Sequence, residues 1–165
     1  MASIRKMCFN DLLAMNHILM ANNRQIATTL RDSTYGSLLD EILRNPDYAL
    51  VAVSPSNQIL GLITAGIHGG GRETICYITG IFNEDLGLPE IGDMLIQTIV
   101  EKADKIDDVY FVEVDVPLNN KRCLNFFGKH GFTWDGKQSK GSSRRLRKDL
   151  NKIFVNTWSE PTTIY

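Results

Sequence analysis

The sequence predicts a mixed α/β domain with a central, mostly antiparallel sheet of six to seven strands and about four flanking helices. Strand-like runs rich in Val, Ile and aromatic residues outnumber the helical segments and follow one another across short turns. Helical segments interrupt these runs irregularly, unlike the strict strand–helix alternation of a doubly wound nucleotide-binding fold. The length of 165 residues fits a single domain.

The first half of the chain is predicted to form a strand, two helices and a hairpin. Residues 3–7 form the first strand, and Asn10 and Asp11 cap the helix DLLAMNHILM. The segment ANNRQIATTLRD lacks periodicity and is interpreted as a loop or short helix. The helix YGSLLDEILR ends before Pro46, because proline disfavours helical backbone in the preceding residue. The strands YALVAV and QILGLITAGI follow, joined by the turn SPSN.

The second half adds a third strand of this meander, two helices and a closing hairpin. The turn HGGGRE leads into the strand TICYITGIF. A long helix over residues 89–105 is predicted from apolar residues at helical spacing, namely Ile91, Leu95, Ile96, Ile99, Val100 and Ala103. The strand VYFVEVDV precedes the helix NNKRCLNFFGK, which ends at Gly131. FTWDGKQ and RRLRKDL form the hairpin, so residues 1–150 are one domain and residues 151–165 are a tail.

The composition indicates a globular protein without a strong charge bias. Hydrophobic residues make up 43% and charged residues 22%, and the formal net charge is −1. Cys8, Cys76 and Cys123 form no CxxC pair, which favours a reducing compartment. No run approaches the ~18 apolar residues of a membrane span, and the first residues lack a signal pattern. We therefore expect a cytoplasmic protein without a membrane partner, and no histidine spacing that indicates a metal site.

The segment NNKRCLNFFGKHGF resembles a helix-and-exit motif of the GNAT superfamily of acyl-CoA-dependent N-acetyltransferases. The matching positions are Asn120, Cys123, Phe126, Phe127, Lys129, Gly131 and Phe132. The element order and the closing strand RRLRKDL resemble the same fold over about residues 3–150, and DLLAMNHI resembles protein N-terminal acetyltransferases. The resemblance implies a GNAT-like fold and acetyl-CoA as cosubstrate. It also implies direct transfer of an acetyl group to a primary amine of a small molecule, peptide or protein.

Two departures from the family pattern keep a second hypothesis open, a catalytically inactive GNAT-fold binding or regulatory module. In the family, the turn before the long helix binds the cofactor pyrophosphate through Gln or Arg, two residues, Gly, one residue, then Gly or Ala. Alignment on Gly92 puts Gly87 at the basic position and Glu90 at the central glycine. Phe127 stands where many members have a tyrosine that protonates the CoA thiolate. A third hypothesis is an unrelated small α/β binding protein.

The start of the long helix is interpreted either as a diphosphate site or as a purely structural helix end. Free N–H groups and the positive end of the helix dipole favour an anion there. Pro89 removes one donor, although it suits the first helical position. Glu90 and Asp93 stabilise an empty helix start by roughly 0.3–1 kcal/mol each and repel phosphate.

The cofactor-binding residues implied by the resemblance lie at the end of the strand TICYITGIFN, at the helix start and on the helix-and-exit motif. They are Ile81, Phe82, Asn83, Gly87, Leu88, Glu90, Ile91, Gly92, Asp93, Asn120, Cys123, Phe126, Phe127 and Lys129. In the family, a backbone N–H of the strand before this helix, here around Ile81 to Asn83, polarises the thioester carbonyl. Cys123 either lies near the departing sulfur or packs against the sheet as a small residue.

Catalytic candidates lie on two neighbouring strands. Alternation places Glu113 and Asp115 on one face of VYFVEVDV, with Val112, Val114 and Val116 on the other. An acid in the middle of a covered strand is costly unless it is paired or faces water, so Glu113 is the first candidate for a general base and Asp115 the second. The alternative is a paired or exposed structural carboxylate. Tyr77 and Thr79 share a face opposite Cys76 and Ile78, and both are candidates for catalytic or structural hydroxyls, with Tyr77 taken as the catalytic candidate.

The expected partner is an amine-bearing small molecule or protein, bound by a monomer or homodimer. Basic residues gather near the end of the sequence: Lys137, Lys140, Arg144, Arg145, Arg147, Lys148 and Lys152. They are interpreted as a solvated edge strand, as groups that steer an anionic substrate, or as a nucleic-acid surface. Nucleic acid is the least favoured partner, because few aromatic residues interleave with these bases.

Overall fold

A computed structural model describes residues 1–21, 27–28, 35–69, 74–83, 89–138 and 142–152. Its strands are β1 (Ser3–Lys6), β2 (Ala27–Thr28), β3 (Ala49–Val53), β4 (Ile59–His68), β5 (Thr74–Asn83), β6 (Val109–Pro117), β7 (Thr133–Gln138) and β8 (Ser143–Asp149). Its helices are α1 (Leu12–Ala21), α2 (Tyr35–Arg44), α3 (Pro89–Asp104) and α4 (Lys121–Lys129). Short 3-10 turns at Phe9–Asp11 and Pro46–Tyr48 precede α1 and β3. Most of the predicted turn HGGGRE and of the predicted tail lies outside the described residues.

The described strands form one sheet in the order β1-β3-β4-β5-β6-β8-β7, and β2 pairs with β5 outside this path. Every neighbouring pair on the path is antiparallel except β5 and β6. The predicted mixed, mostly antiparallel sheet with four helices is confirmed. The interpretation of ANNRQIATTLRD as loop or helix is wrong at Ala27 and Thr28, because a two-residue strand carries no periodic pattern that sequence reasoning can detect.

The helices cover the two faces of the sheet with separate apolar clusters. On one face, α3 contributes the buried residues Ile91, Leu95, Ile96, Ile99 and Ala103, which confirms the predicted apolar face of this helix. On the other face, Leu12 and Met15 of α1 and Leu38 and Ile42 of α2 pack on β3, β4 and the end of β5. Beyond this second cluster, the same face of β6 and β8 carries charged side chains.

The ends of α4 follow the predicted signals. The Asn120 side chain accepts a hydrogen bond from the backbone N–H of Cys123 at 3.1 Å, which satisfies one free donor of the first turn. Gly131 has a φ of 85°, and the Phe132 N–H donates to the carbonyl of Phe127 at 3.0 Å. This Schellman-type ending requires a residue that tolerates positive φ, so glycine ends the helix.

Lys152, two residues after Leu150, is bonded to the domain through its side chain. The Lys152 Nζ donates to the carbonyls of Ala103 at 3.4 Å and of Ile106 at 2.5 Å. These carbonyls lie at the end of α3 and in the turn after it, where a cation complements the helix dipole. The predicted domain boundary at residue 150 stays a prediction.

Candidate active site

The sheet opens between β5 and β6 at a β-bulge centred on Thr79. Thr64 of β4 lies opposite Gly80, whereas Ala65 lies opposite Ile78, so Thr79 is the extra residue. A bulge bends its strand and increases the local twist. The parallel pairing of β5 with β6 accordingly ends at Ile78 and Val114.

The second half of β5 therefore leaves its neighbour in the sheet. Antiparallel pairing with β4 continues on one edge, so β2 must pair with Gly80 and Ile81 along the edge that faces β6. The predicted alternation holds up to the bulge and shifts after it, since Ile81 joins the same apolar cluster as Cys76 and Ile78. Phe82 instead joins the cluster below α1 and α2.

A line of polar side chains crosses β5, β6 and β8 on the face that carries α1 and α2. The Tyr77 hydroxyl donates to the Asp115 Oδ2 at 2.6 Å. The Arg145 Nε and Nη2 donate to the Asp115 Oδ1 and Oδ2, both at 3.1 Å. Burial, followed by the hydrogen bond to Asp115, raises the pKa of Tyr77 far above its ordinary value. Tyr77 is therefore a neutral phenol near pH 7.

Glu113 is 2% exposed and is held by arginine. The Arg147 Nε donates to its Oε1 at 2.7 Å, and the Arg147 Nη2 contacts the same oxygen. The Arg145 Nη1 lies 3.9 Å from the Oε2. Glu113 and Asp115 are thus paired carboxylates, as in the structural alternative stated for them, and their role as bases stays a prediction.

The basic residues of β8 face inward or across the sheet rather than forming a free edge. β8 lies between β6 and β7, so the interpretation as a solvated edge strand is wrong. Lys148 donates to the carbonyl of His130 at 2.8 Å, and the Arg144 guanidinium lies 4.4 Å from the centre of the Trp134 ring. Sequence alone places RRLRKDL last in a hairpin, and nothing in it shows that the last strand inserts beside β6.

Thr64 and Glu41, which meet Thr79 at the bulge, were missed by sequence reasoning. The hydroxyls of Thr64 and Thr79 are 2.7 Å apart, and Thr79 is hydrogen-bonded to the Glu41 carboxylate of α2. The Glu41 Oε2 is buried and has no hydrogen-bond partner among the described residues. Burial raises the pKa of Glu41 above its usual range. The Thr-Gly pair inside β5 is the available sequence signal, since glycine within a strand often marks a bulge.

The start of α3 is brought close to α4 and to the end of β5. A Cβ on Gly92 would lie 3.0 Å from the Phe126 ring and 3.8 Å from the Asn83 Nδ2, so this glycine permits close helix packing. Asp93 turns towards α4, where its carboxylate lies 2.6 Å from the His130 Nε2 and 3.4 Å from the Lys129 Nζ. Glu90 is exposed. Of the two acids predicted to repel a phosphate, Glu90 is thus exposed, and Asp93 contacts Lys129 and His130.

The two adjacent phenylalanines of α4 have different surroundings. Phe126 contacts α3 at Gly92, whereas Phe127 lies in the core. Phe127 is fully buried and packs edge-to-face on Phe126 and Phe132, with centroid distances of 5.3 and 5.2 Å. Burial raises the pKa of the Cys123 thiol to about 11, so it is not a ready thiolate.

The predicted cofactor-binding residues do not all come together in the structure. Ile81, Ile91 and Phe127 lie in the core below α3, and Phe82 lies in the cluster below α1 and α2. Asn120 caps α4, Cys123 is partly buried on α4, and Glu90 is exposed. Asn83, Gly92, Asp93, Phe126 and Lys129 meet where β5, α3 and α4 converge. Gly87 and Leu88 lie outside the described residues. Their role stays a prediction.

Within the described residues, no helix is long and apolar enough to cross a lipid bilayer. The same part of the chain holds no group of three or more His, Cys, Asp or Glu side chains placed to hold a metal ion.

The chain is similar in sequence to a plant acetyltransferase subunit. No protein-family model matches it. The N-terminal acetyltransferase B complex catalytic subunit NAA20 of Arabidopsis thaliana is 28% identical over 173 residues, covering 99% of this chain and 96% of that protein.

Solved acetyltransferases share the fold over nearly the whole chain. A chain of the NatB acetyltransferase complex bound to CoA and MES matches with a TM-score of 0.70 at 19% identity, covering 90% of this chain and 99% of that one. Ard1 from Thermoplasma volcanium matches with a TM-score of 0.73 at 16% identity, covering 92% and 99%. Both likenesses support the fold.

Proposed function

We propose that this chain, which is similar in sequence to an N-terminal acetyltransferase catalytic subunit and has the fold of solved acetyltransferases, is a GNAT N-acetyltransferase. It acetylates the α-amine of a peptide or protein N-terminus, with acetyl-CoA as the acetyl donor. The acyl group passes directly to the amine. The similarity to NAA20, a subunit of an N-terminal acetyltransferase complex, supports this class of amine over a small metabolite. The similarity also supports a second subunit as a partner.

The observation that carries the proposal is the separation of β5 from β6 beyond Ile78, where β2 pairs with the edge of β5 that has left β6. This separation lies between the β5–α3–α4 cluster on one side and the polar side chains of β5, β6 and β8 on the other. A thioester bound beside this separation, next to β2, has its diphosphate at the start of α3, where first-turn N–H groups face an anion. Its acetyl group then points towards the face that carries Tyr77 and Asp115, where the amine approaches.

The residues present fit this arrangement without a family-type phosphate loop. Glu90 is exposed, and Asp93 is drawn to His130 and Lys129, so neither carboxylate fills the space in front of the helix start. Tyr77, held by Asp115, orients the acceptor as a neutral hydrogen-bonding group. Phe127 is buried and has no hydroxyl, so water protonates the departing thiolate.

A peptide panel tests the proposal. Peptides with a free N-terminus and an internal lysine, and the same peptides with the N-terminus blocked, are incubated with the full chain and acetyl-CoA. We expect one acetyl group on the free α-amine, located by fragment mass spectrometry, and none on the blocked peptides. Acetylated lysine without N-terminal acetylation would contradict the substrate class.

The inactive-module hypothesis is tested by calorimetry on the same protein. Acetyl-CoA is expected to bind with measurable heat. Absence of heat at about millimolar acetyl-CoA would rule out the acetyltransferase activity, whereas heat without turnover on any amine would favour a binding module.

A further inference from the structure

Neither the sequence pattern nor the similarity to solved acetyltransferases gives Glu41 a role, but its position in the fold suggests one. It lies on α2, and its side chain reaches the bulge residue Thr79, where β5 turns away from β6. The opening between these strands is where the proposed function places the acetyl group. Glu41 is thus the carboxylate that contacts the bulge itself, from the face on which the amine approaches.

The hydroxyls of Thr64 and Thr79 meet the Glu41 carboxylate, and one oxygen of this carboxylate is buried without a hydrogen-bond partner among the described residues. Thr64 and Thr79 share a hydrogen bond of 2.7 Å, and Thr79 bonds to Glu41. Because an ionised carboxylate only accepts, Thr79 donates to Glu41 and Thr64 donates to Thr79. The Glu41 Oε2 is buried without a hydrogen-bond partner among the described residues. A buried polar atom of this kind costs roughly 1–3 kcal/mol, so its retention calls for an explanation.

Glu113 and Asp115, the two acids of β6, differ from Glu41 because arginine side chains already donate hydrogen bonds to them. Both oxygens of Asp115 accept from Arg145, and Oδ2 also accepts from Tyr77. Glu113 is bonded to Arg147 and has Arg145 near its second oxygen. Both acids of β6 therefore already accept charge-assisted hydrogen bonds from guanidinium groups.

We propose, on the basis of the proposed function, that Glu41 is the base that takes the proton from the acceptor ammonium. The Glu41 Oε2 accepts one proton of R–NH3+, which leaves R–NH2 and a neutral Glu41. The amine lone pair forms the C–N bond to the thioester carbonyl carbon, and the C–S bond breaks with its electron pair on sulfur. A second amine proton reaches the thiolate through water, and Glu41 returns its own proton to solvent.

The charges around Glu41 suit this role. The charged groups that act on it are Asp40 and Arg44, both on α2, while β4 and β5 present the hydroxyls of Thr64 and Thr79. Among the described side chains of α1, which packs on α2, the titratable group is His17, which is exposed. Burial and Asp40 raise the pKa of Glu41, and only Thr79 and Arg44 oppose this. A carboxyl group whose pKa is raised in this way accepts a proton more readily near neutral pH.

The test compares wild type with Glu41→Gln in the full chain, using a free-N-terminus peptide and acetyl-CoA. In the variant only peptide that is already neutral reacts, so kcat/KM rises about tenfold per pH unit up to the amine pKa, about 8. Wild type uses the protonated peptide and shows a flat region below that pH. We expect the variant to be about 30-fold slower near pH 6.5 and the ratio to shrink above pH 8.

Matched measurements separate this inference from a folding defect and from the proposed function. Asp47→Asn, at an exposed aspartate that pairs with Lys6, should match wild type at every pH, and Glu41→Gln should keep the wild-type melting temperature or exceed it. Calorimetry should give the same acetyl-CoA affinity for all three proteins. Equal rates, or a ratio of wild type to Glu41→Gln that does not change with pH, would overturn the role of Glu41. An inactive wild type would instead contradict the proposed function.

Discussion

Individual carboxylates in this chain differ in which groups donate hydrogen bonds to their oxygens. Asp11 accepts from the Arg5 Nη1 at 2.7 Å, the Arg5 Nη2 at 2.9 Å and the Cys8 N–H at 2.8 Å. Asp47 instead pairs with Lys6 on the surface, where both side chains are mostly exposed. A buried, multiply bonded carboxylate stabilises the fold, whereas an exposed ion pair is screened by water and salt. The two aspartates therefore form a matched comparison.

Asp11 gives a prediction for acid stability. The Arg5 hydrogen bonds hold the pKa of Asp11 at about 2, below its ordinary value of 3.8. A depressed pKa contributes stability that is complete above the unfolded value and is lost as the pH falls towards the folded value. We expect Asp11→Asn to lower the free energy of unfolding by about 2 kcal/mol at pH 7. Urea unfolding from pH 7 to pH 2.5 should show this difference closing below pH 4.

Asp47→Asn serves as the control for Asp11→Asn. Its unfolding curve should follow that of wild type across the same pH range, because the pair with Lys6 is exposed. If Asp11→Asn shows a deficit that does not depend on pH, the Arg5–Asp11 pair is not its source.

At the level of elements, the start of α3 shows how a helix end can keep room for an anion despite nearby acids. Asp93 is bonded to the end of α4, and Gly92 allows α4 to approach closely enough for that contact. Glu90 projects from the first turn into solvent. Among the described residues at this helix start, the group that opposes an anion is thus Glu90, through its charge and not its bulk.

The charge of Glu90 gives a binding prediction for this helix. Glu90→Gln removes the like charge near the helix start and should tighten acetyl-CoA binding about twofold to fivefold in calorimetry at low salt. The gain should disappear at high salt, because an exposed charge is screened. Glu101→Gln, in the last turns of the same helix, should bind like wild type. Unchanged or weaker affinity in Glu90→Gln would show that this carboxylate does not oppose the diphosphate.

Element boundaries were predictable where one residue forces them. Pro46 ends α2, Pro89 opens α3 and Gly131 ends α4, because each has restricted or special backbone geometry. The bulge at Thr79 was not predictable in this way, since the alternation of β5 suits a straight strand equally well. Glu41 follows Asp40 in a polar run typical of a solvated helix face, so only the packing of α2 on the bulge reveals its position.

At the scale of the whole molecule, the fold could be predicted from the order of helices and strands in the sequence. The candidate site could not, because it depends on where β5 and β6 separate. The paired state of Glu113 and Asp115 requires β8 beside β6. That placement follows from the full sheet and not from the local sequence of either strand. Alternation in the sequence thus predicted that Glu113 and Asp115 share a face of β6, but it did not reveal that arginines of β8 pair with them.

The opened sheet leads to a prediction for ligand-linked stability. A ligand bound across β5, α3 and α4 stabilises the native state by RT ln(1 + [L]/Kd), about 2.7 kcal/mol at a hundredfold excess over Kd. For a domain of this size we expect acetyl-CoA to raise the melting temperature by about 5–10 °C in differential scanning fluorimetry. Acetyl phosphate, which lacks the nucleotide and pantetheine, should leave the melting temperature unchanged. An equal rise with both would indicate general anion binding.

The bond from Lys152 to the end of α3 has a practical use. The 16 residues of that helix span about 24 Å, so the point where Lys152 contacts the domain is distant from the proposed diphosphate site. A variant shortened to end at Lys152 and joined there to a linker would therefore be held on a sensor chip with the start of α3 turned away from the support. Immobilised in that orientation, the molecule would present its reactive side to flowing peptide.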